Sequence, residues 1–252
     1  MGKKGFSPIQ FLIGLLFPHR CLCCGELCGS SLLCERCAAQ LYAVGQDSCR
    51  FCGRDRNRCR CQYGKNLLFE QAVSAYYYEG TGRTLLQRFK FYGDTACYDQ
   101  VLAPHFLKRV TAAFRDIPFD WVIPVPMYEK EKDRFDQTLY LAKSLSKAMG
   151  IPCRTDLLKK VRKTPPQHRQ RAEKRGENVK DAFLSCKKNE LQGVCILLVD
   201  DVATTFSTLN ECAATLKEAG ADRILCVSLM TTAGKNKNRE EYHGRNDDRY
   251  RD

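Results

Sequence analysis

From about Leu67 onward, short apolar runs alternate with amphipathic stretches, the pattern of a sheet layered with helices. FEQAVSAYYYEG reads as strand ending at Gly80, Leu85 to Lys90 as a short basic helix, and FYGD after it as a turn. Val101 to Phe114 reads as helix and WVIPVP, 121–126, as a buried strand. The helix from Gln137 to Met149 is stopped by Gly150 and Pro152. VCILLV, 194–199, is continuously apolar, as expected of a parallel strand covered on both faces. Asp200 and Asp201 stand at its carboxyl end. Leu209 to Ala219 then reads as a helix closed by Gly220, and ILCVSLM, 224–230, as a second buried strand. These three elements make a βαβ unit, with its loop where parallel α/β sheets take ligands.

The N-terminal 65 residues follow no such pattern. Ten of the sixteen cysteines fall between Cys21 and Cys61. C-x2-C occurs at Cys21/Cys24, Cys34/Cys37 and Cys49/Cys52, and C-x-C at Cys59/Cys61. Gly25 and Gly53 follow two of the pairs and permit the positive φ that a metal-wrapping turn needs. The expectation is two structural zinc ions, one on Cys21, Cys24, Cys34 and Cys37, the other on Cys49, Cys52, Cys59 and Cys61. A crossed pairing, or replacement of a neighbour by Cys23 or Cys28, stays open. Disulfides would need an oxidising compartment and an export signal. A thioredoxin-like site would need one C-x2-C in a βαβ context. Cys97, Cys153, Cys186, Cys195, Cys212 and Cys226 are scattered and read as small buried hydrophobes.

Lys3 and Lys4 before FLIGLLF imitate a signal peptide, but Pro18, His19, Arg20 and Cys21 follow where small residues would mark cleavage. The run Phe11 to Phe17 is far short of the roughly 18 to 20 residues of a membrane span. It reads as a short helix packing on the core, with weak contact at the inner face of the membrane as the alternative. The protein is expected to be cytoplasmic. The polar tail after Ala233, with its lone His243, reads as disordered.

Apolar content of 44% excludes a mostly disordered chain. The net charge is +12, nearer to about +8 once eight thiolates and two zinc ions are included. Arg50, Arg54, Arg56, Arg58 and Arg60 surround the second cysteine set. They could meet nucleic-acid phosphates or merely offset the thiolates. Residues 154–180 hold ten Lys/Arg and three Asp/Glu, a density that suits a phosphate-bearing ligand or single-stranded DNA.

The loop after the first buried strand has a chemistry of its own. Val202, Ala203, Thr204, Thr205, Phe206, Ser207 and Thr208 lead into a helix whose first N–H groups are unpaired and partly positive. Hydroxyls and amides together suit a phosphate. Asp200 and Asp201 can accept hydrogen bonds from vicinal sugar hydroxyls, so the pair and the loop describe a ribose 5-phosphate. A simple Asp-capped turn and a metal-holding acid pair are the competing readings. G-x-G-x-x-G and GxxxxGK[ST] are both absent.

LLVDDVATTFSTL resembles the phosphoribosyl-pyrophosphate motif of type I phosphoribosyltransferases. The chain from about 15 to 232 resembles the ComF family, which joins a cysteine-rich zinc ribbon to such a domain. LFPHRCLCCG, LLCERC, LLQRFKFYGD and IPVPMYEKEK carry the likeness, with Thr164, Gln167, Arg175, Asn178, Ala182 and Phe183. Two departures are visible: Phe206 stands where the family has glycine, and DRFDQ, 133–137, stands for RGFNQ.

The resemblance implies a ribbon over 1–65, a phosphoribosyltransferase-like α/β domain with a parallel sheet flanked by helices over 66–232, and a tail from 233. It implies ribose held by Asp200 and Asp201, 5-phosphate held by residues 202–208, and a diphosphate with Mg²⁺ near Lys130, Lys132 and Arg134. It also implies a role in natural transformation, with single-stranded DNA or competence proteins as partners. Phosphoribosyl transfer to an unknown nitrogen nucleophile is the alternative.

Overall fold

The computed structural model describes residues 19–59, 61, 67–128, 134–162 and 181–233. The apolar run 11–17, Arg60, Lys130, Lys132, Thr164, Gln167, Arg175, Asn178 and the tail with His243 lie outside the described residues. Along the chain come α1 (Glu35–Ala39), β1 (Gln71–Tyr77), α2 (Gly80–Tyr92), α3 (Ala103–Ala113) and β2 (Trp121–Pro124). They are followed by α4 (Gln137–Met149), β3 (Leu158–Lys160), β4 (Phe183–Ser185), β5 (Cys195–Ala203), α5 (Ser207–Glu218) and β6 (Arg223–Thr231).

Four strands form a parallel sheet in the order β1-β6-β5-β2. The two central strands are the two apolar runs of the βαβ unit, buried along almost their whole length. α2, α3 and α4 cover one face with Phe89, Phe106 and Leu141. On the other face α5 supplies Leu209, Cys212 and Leu216, joined by Leu158 and Phe183 of the antiparallel pair β3–β4.

Local differences from the pattern have simple causes. The helix expected over 85–90 runs from Gly80 to Tyr92, so Phe91 and Tyr92 end it on exposed positions and Gly93, at φ +62°, turns the chain out. The helix expected from Val101 is preceded by a π turn, Cys97–Leu102, and Pro104 sits in the first turn of α3. β3 and β4 are three residues each and include Lys159 and Lys160, too short and too charged to show a period. Of the scattered cysteines, Cys97, Cys195, Cys212 and Cys226 are buried, whereas Cys153 and Cys186 are only half-buried.

The cysteine-rich segment closes an open edge. β1 is an edge strand, and an uncovered edge invites pairing with other chains. Here Ala72 donates to Arg50 O at 2.8 Å, Val44 to Ala75 O at 2.8 Å and Tyr77 to Tyr42 O at 2.8 Å. Buried Arg109 of α3 reinforces the junction, donating to Ser74 O, Gly45 O and Ser48 Oγ at 2.8, 2.6 and 2.9 Å. Gly53 has φ +60°, and a Cβ there would sit 2.9 Å from Ser74 N and 3.2 Å from Ala72 O. Gly53→Ala combines a left-handed non-glycine residue with a backbone clash, so a loss of about 2–3 kcal/mol is expected. Urea unfolding measures it; a loss under about 0.5 kcal/mol would mean that the ribbon edge does not grip β1.

Candidate ligand site and cysteine clusters

Asp200 and Asp201 lie toward the carboxyl end of central strand β5, beside β6. Successive side chains of a strand leave opposite faces, so the two acids meet different surroundings. Asp201 faces α2 and α4. Its Oδ2 accepts from Lys90 Nζ at 3.0 Å and from Gln137 Nε2 at 2.8 Å. Asp200 is on the α5 side, where its charge reaches the buried thiols of Cys212 and Cys226. Its Oδ1 curls back to accept from the Asp201 amide at 2.8 Å.

The pair is therefore split in charge. Burial pushes the Asp200 carboxyl up, and the Asp201 charge pushes it further. Burial opposes ionisation of Asp201 as well, but the Lys90 ammonium and the bonds from Lys90 and Gln137 outweigh it and hold Asp201 below the usual range. Lys90 is correspondingly raised by Asp201. Asp200 is thus pushed toward its neutral form while Asp201 stays an acceptor.

Val202 and Ala203 finish β5, and the loop enters α5 at Phe206. Thr205 Oγ1 and Ser207 Oγ are hydrogen-bonded at 2.8 Å. Phe206 takes φ +62°, the left-handed conformation glycine would adopt without strain. Its ring is 3% exposed, lies 6.0 Å from the Phe69 ring and belongs to the apolar cluster under α5. The aromatic substitution thus keeps the glycine backbone and buries its side chain. The guanidinium of Arg54 lies 5.9 Å from that ring, and its Nη2 donates to Thr204 O at 2.6 Å.

The cysteines gather as Cys21, Cys24, Cys34 and Cys37, and as Cys49, Cys52, Cys59 and Cys61, each set with its sulfurs within 4.8 Å of one another. Four sulfurs about 2.3 Å from one zinc ion lie roughly 3.8 Å apart. Cys24 to Cys34 is 3.6 Å, Cys49 to Cys61 3.5 Å and Cys52 to Cys59 3.6 Å, so each set could hold one such ion. Burial pushes the Cys21 thiol up, but backbone amides, chiefly that of Cys24, bring it down to about 6. At Cys49 burial is likewise outweighed by the amides of Cys52 and Phe51, which bring it to about 7. The turns thus favour one thiolate in each set, while burial and neighbouring thiols push Cys37, Cys52 and Cys61 up. All sixteen cysteines are free of disulfides. Cys28 stands apart, its Sγ against Ser31 O at 2.9 Å.

Of the described arginines around the second set, Arg54 and Arg58 turn inward, while Arg50 and Arg56 stay exposed. Arg58 pairs with Glu79 at 2.8 Å and covers the Tyr77 ring at 4.3 Å. Arg54 is buried, Arg56 meets Asp47 at 2.6 Å, and Arg50 leans on Phe51 at 5.4 Å. Arg134 is exposed, three residues before Gln137 opens α4. In the basic stretch, Arg154 is taken up by Asp156 and Glu190 at 2.8 and 2.7 Å. Lys90, Gln137 and Arg54 were not foreseen as site residues. The first two sit in LLQRFKFYGD and DRFDQ, segments that stood out only by resemblance. Among the described residues, no helix is long and apolar enough to cross a membrane.

The parallel sheet, the acid pair at the end of its central strand and the loop opening α5 define a phosphoribosyltransferase-type α/β protein. A family profile described as phosphoribosyl transferase domain matches residues 137–249. Competence protein F of Haemophilus influenzae is 32% identical over 222 residues, 82% of this chain and 95% of its own length. Competence protein ComFC of Bacillus subtilis is 28% identical over 199 residues, 75% of this chain and 79% of its own. The DNA utilization protein YhgH of Salmonella typhi is 34% identical over 136 residues, 52% of this chain and 59% of its own. The chain belongs to the ComF family.

Proposed function

We propose that this protein binds phosphoribosyl pyrophosphate and acts in DNA uptake, working in the cytoplasm and contacting single-stranded DNA or competence partners. The observation that carries the ligand reading is Asp201, kept ionised by Lys90 and Gln137 beside Asp200 at the mouth of the loop 202–208. In this reading the two acids hold the ribose hydroxyls, the α5 N-terminus and the threonines take the 5-phosphate, and Arg134 is one cation within reach of the diphosphate. Mg²⁺ would arrive on the diphosphate and offset part of its charge. Zinc in both cysteine sets supports the ribbon over 1–65 against the domain over 66–232. The DNA half of the reading draws on the names of the relatives and on the net charge of +12.

Calorimetry with phosphoribosyl pyrophosphate and Mg²⁺ tests the ligand. Binding is expected for the zinc-loaded protein. A loss of at least about 100-fold is expected in Asp200→Asn/Asp201→Asn, because two hydrogen bonds involving charged groups go. Equal binding by both proteins, or none by the wild type, would remove the site. Phe206 buries its ring, which favours a working loop, so transfer to a nitrogen nucleophile is the second reading; nucleobase-dependent pyrophosphate release tests it.

A further inference from the structure

We infer that Arg54 is a positioning residue that couples metal retention at Cys49, Cys52, Cys59 and Cys61 to the shape of the ligand loop. The inference rests on the phosphoribosyl-pyrophosphate reading of that loop. Arg54 belongs to the second cysteine cluster by position, two residues after Cys52 and directly after Gly53. Its backbone is part of the cluster's turn: Cys49 N donates to Arg54 O at 2.7 Å, and Gly53 N donates to Cys49 O at 2.8 Å. Its side chain leaves the ribbon entirely. It is 5% exposed, donates from Nη2 to Thr204 O at 2.6 Å and from Nε to Thr232 O at 2.7 Å, and flanks the Phe206 ring. One guanidinium thus joins the cysteine turn, the loop after β5 and the end of β6.

The grip on Thr204 O sets the direction of a donor. Among the described residues every peptide bond is trans, so the carbonyl of Thr204 and the amide of Thr205 point to opposite sides of one plane. With the carbonyl drawn inward to Arg54, the Thr205 N–H is aimed away from the ribbon. The strained Phe206 follows at once, and the contact of Arg54 with its ring helps to hold that left-handed residue. If the turn at Cys49–Cys52 loosens, the Arg54 backbone is freed, and the loop loses the contact that orients it. The three N–H donors of a lysine radiate from one nitrogen, so it lacks the planar fork with which Arg54 holds two carbonyls.

Coupling of this kind is reciprocal in affinity: what tightens the loop must also tighten the metal, a gain expected mainly as slower metal loss. The test follows zinc release from the zinc-loaded protein to a chromogenic chelator, with and without phosphoribosyl pyrophosphate and Mg²⁺. Calorimetry is run on the same samples. In the wild type, the ligand is expected to slow release from one of the two sites at least about fivefold, a coupling of ordinary size. Arg54→Ala and Arg54→Lys are expected to load two zinc ions, to bind the ligand at least about fivefold more weakly, and to release zinc at a ligand-independent rate. Cys24→Ser, in the other cluster, is expected to leave the ligand effect intact. If the wild type binds the ligand but its zinc release does not respond, or if both Arg54 variants respond like wild type, the coupling is wrong and the ligand site stands. If the wild type binds no phosphoribosyl pyrophosphate, the reading and the inference fall together.

Discussion

Lys90→Met is expected to cost about 2 kcal/mol of stability at pH 7, and part of that cost is expected to vanish as pH falls toward 4, the rest only below it. Asp201 is 8% exposed and is held by one ammonium and one amide. Breaking a buried pair by deleting one partner costs roughly 3–5 kcal/mol. The Lys90 side chain is 42% exposed, so solvent already screens the pair and the lower figure applies. The neighbours offer no relief. Asp200 and Asp136 are both pushed up by burial and by the charge of Asp201, and Lys143 acts only on Asp136, so removing Lys90 leaves Asp201 beside two further carboxyls.

The pH dependence follows from the sign of the Asp201 shift. In the wild type its folded value lies below the unfolded one, so its contribution is present above about pH 4 and is lost as pH falls through the folded value. Without Lys90 the same carboxyl is buried among acids, and its folded value rises above the unfolded one. Its contribution then turns unfavourable as pH climbs past about 4. The difference between the two proteins is therefore largest at neutral pH. Urea midpoints at pH 7 and pH 4.5 measure it. A loss that is the same at both would assign the effect to the packed lysine stem rather than to its charge.

The elements most legible in the sequence were those that depend on their neighbours along the chain. VCILLV is continuously apolar, and ILCVSLM is apolar but for Ser228, because β5 and β6 are buried between two helical layers. The cysteine spacings were legible because a C-x2-C turn brings its two sulfurs together whatever lies beyond it. What spacing could not supply was direction in space. Asp200 and Asp201 read as a matched pair, yet strand alternation sends them to opposite faces and leaves only Asp201 with a cation. Lys90 and Arg54 read as two of many surface charges, 41 Lys and Arg in all, and only folding shows which of them turn inward. Phe206 read only as a departure from glycine, and nothing in the sequence shows that its ring has room under α5.

The second cysteine cluster should matter more to the sheet than the first. Cys52→Ser removes a fully buried ligand atom from a turn whose neighbours pair with β1. Structural zinc supplies much of the folding energy of such a ribbon, so this variant is expected to lose one of two zinc ions and the local fold with it. Three consequences follow for the α/β layer. The Ala72 amide loses Arg50 O. Arg109 loses its bonds to Gly45 O and Ser48 Oγ, which tie the same segment down. The edge of β1 is then open to solvent and to other chains. Bonds from a charged guanidinium contribute about 1.5–3 kcal/mol each, so a loss near 2 kcal/mol, or roughly 4–8 °C in Tm, is a conservative expectation. The first cluster meets α2 partly through Arg88 Nη1 on Leu22 O at 3.2 Å, and its Cys24 is exposed, so Cys24→Ser should cost less. Hydrogen exchange separates the two. In Cys52→Ser, Ala72 should exchange at least tenfold faster while Leu198 in central β5 keeps its protection; in Cys24→Ser both should stay protected. Equal deprotection of β1 by the two variants would show that the clusters act as one unit, and unchanged protection of Ala72 in Cys52→Ser would show that the pairing of residues 42–53 with the sheet edge does not depend on the metal beside it.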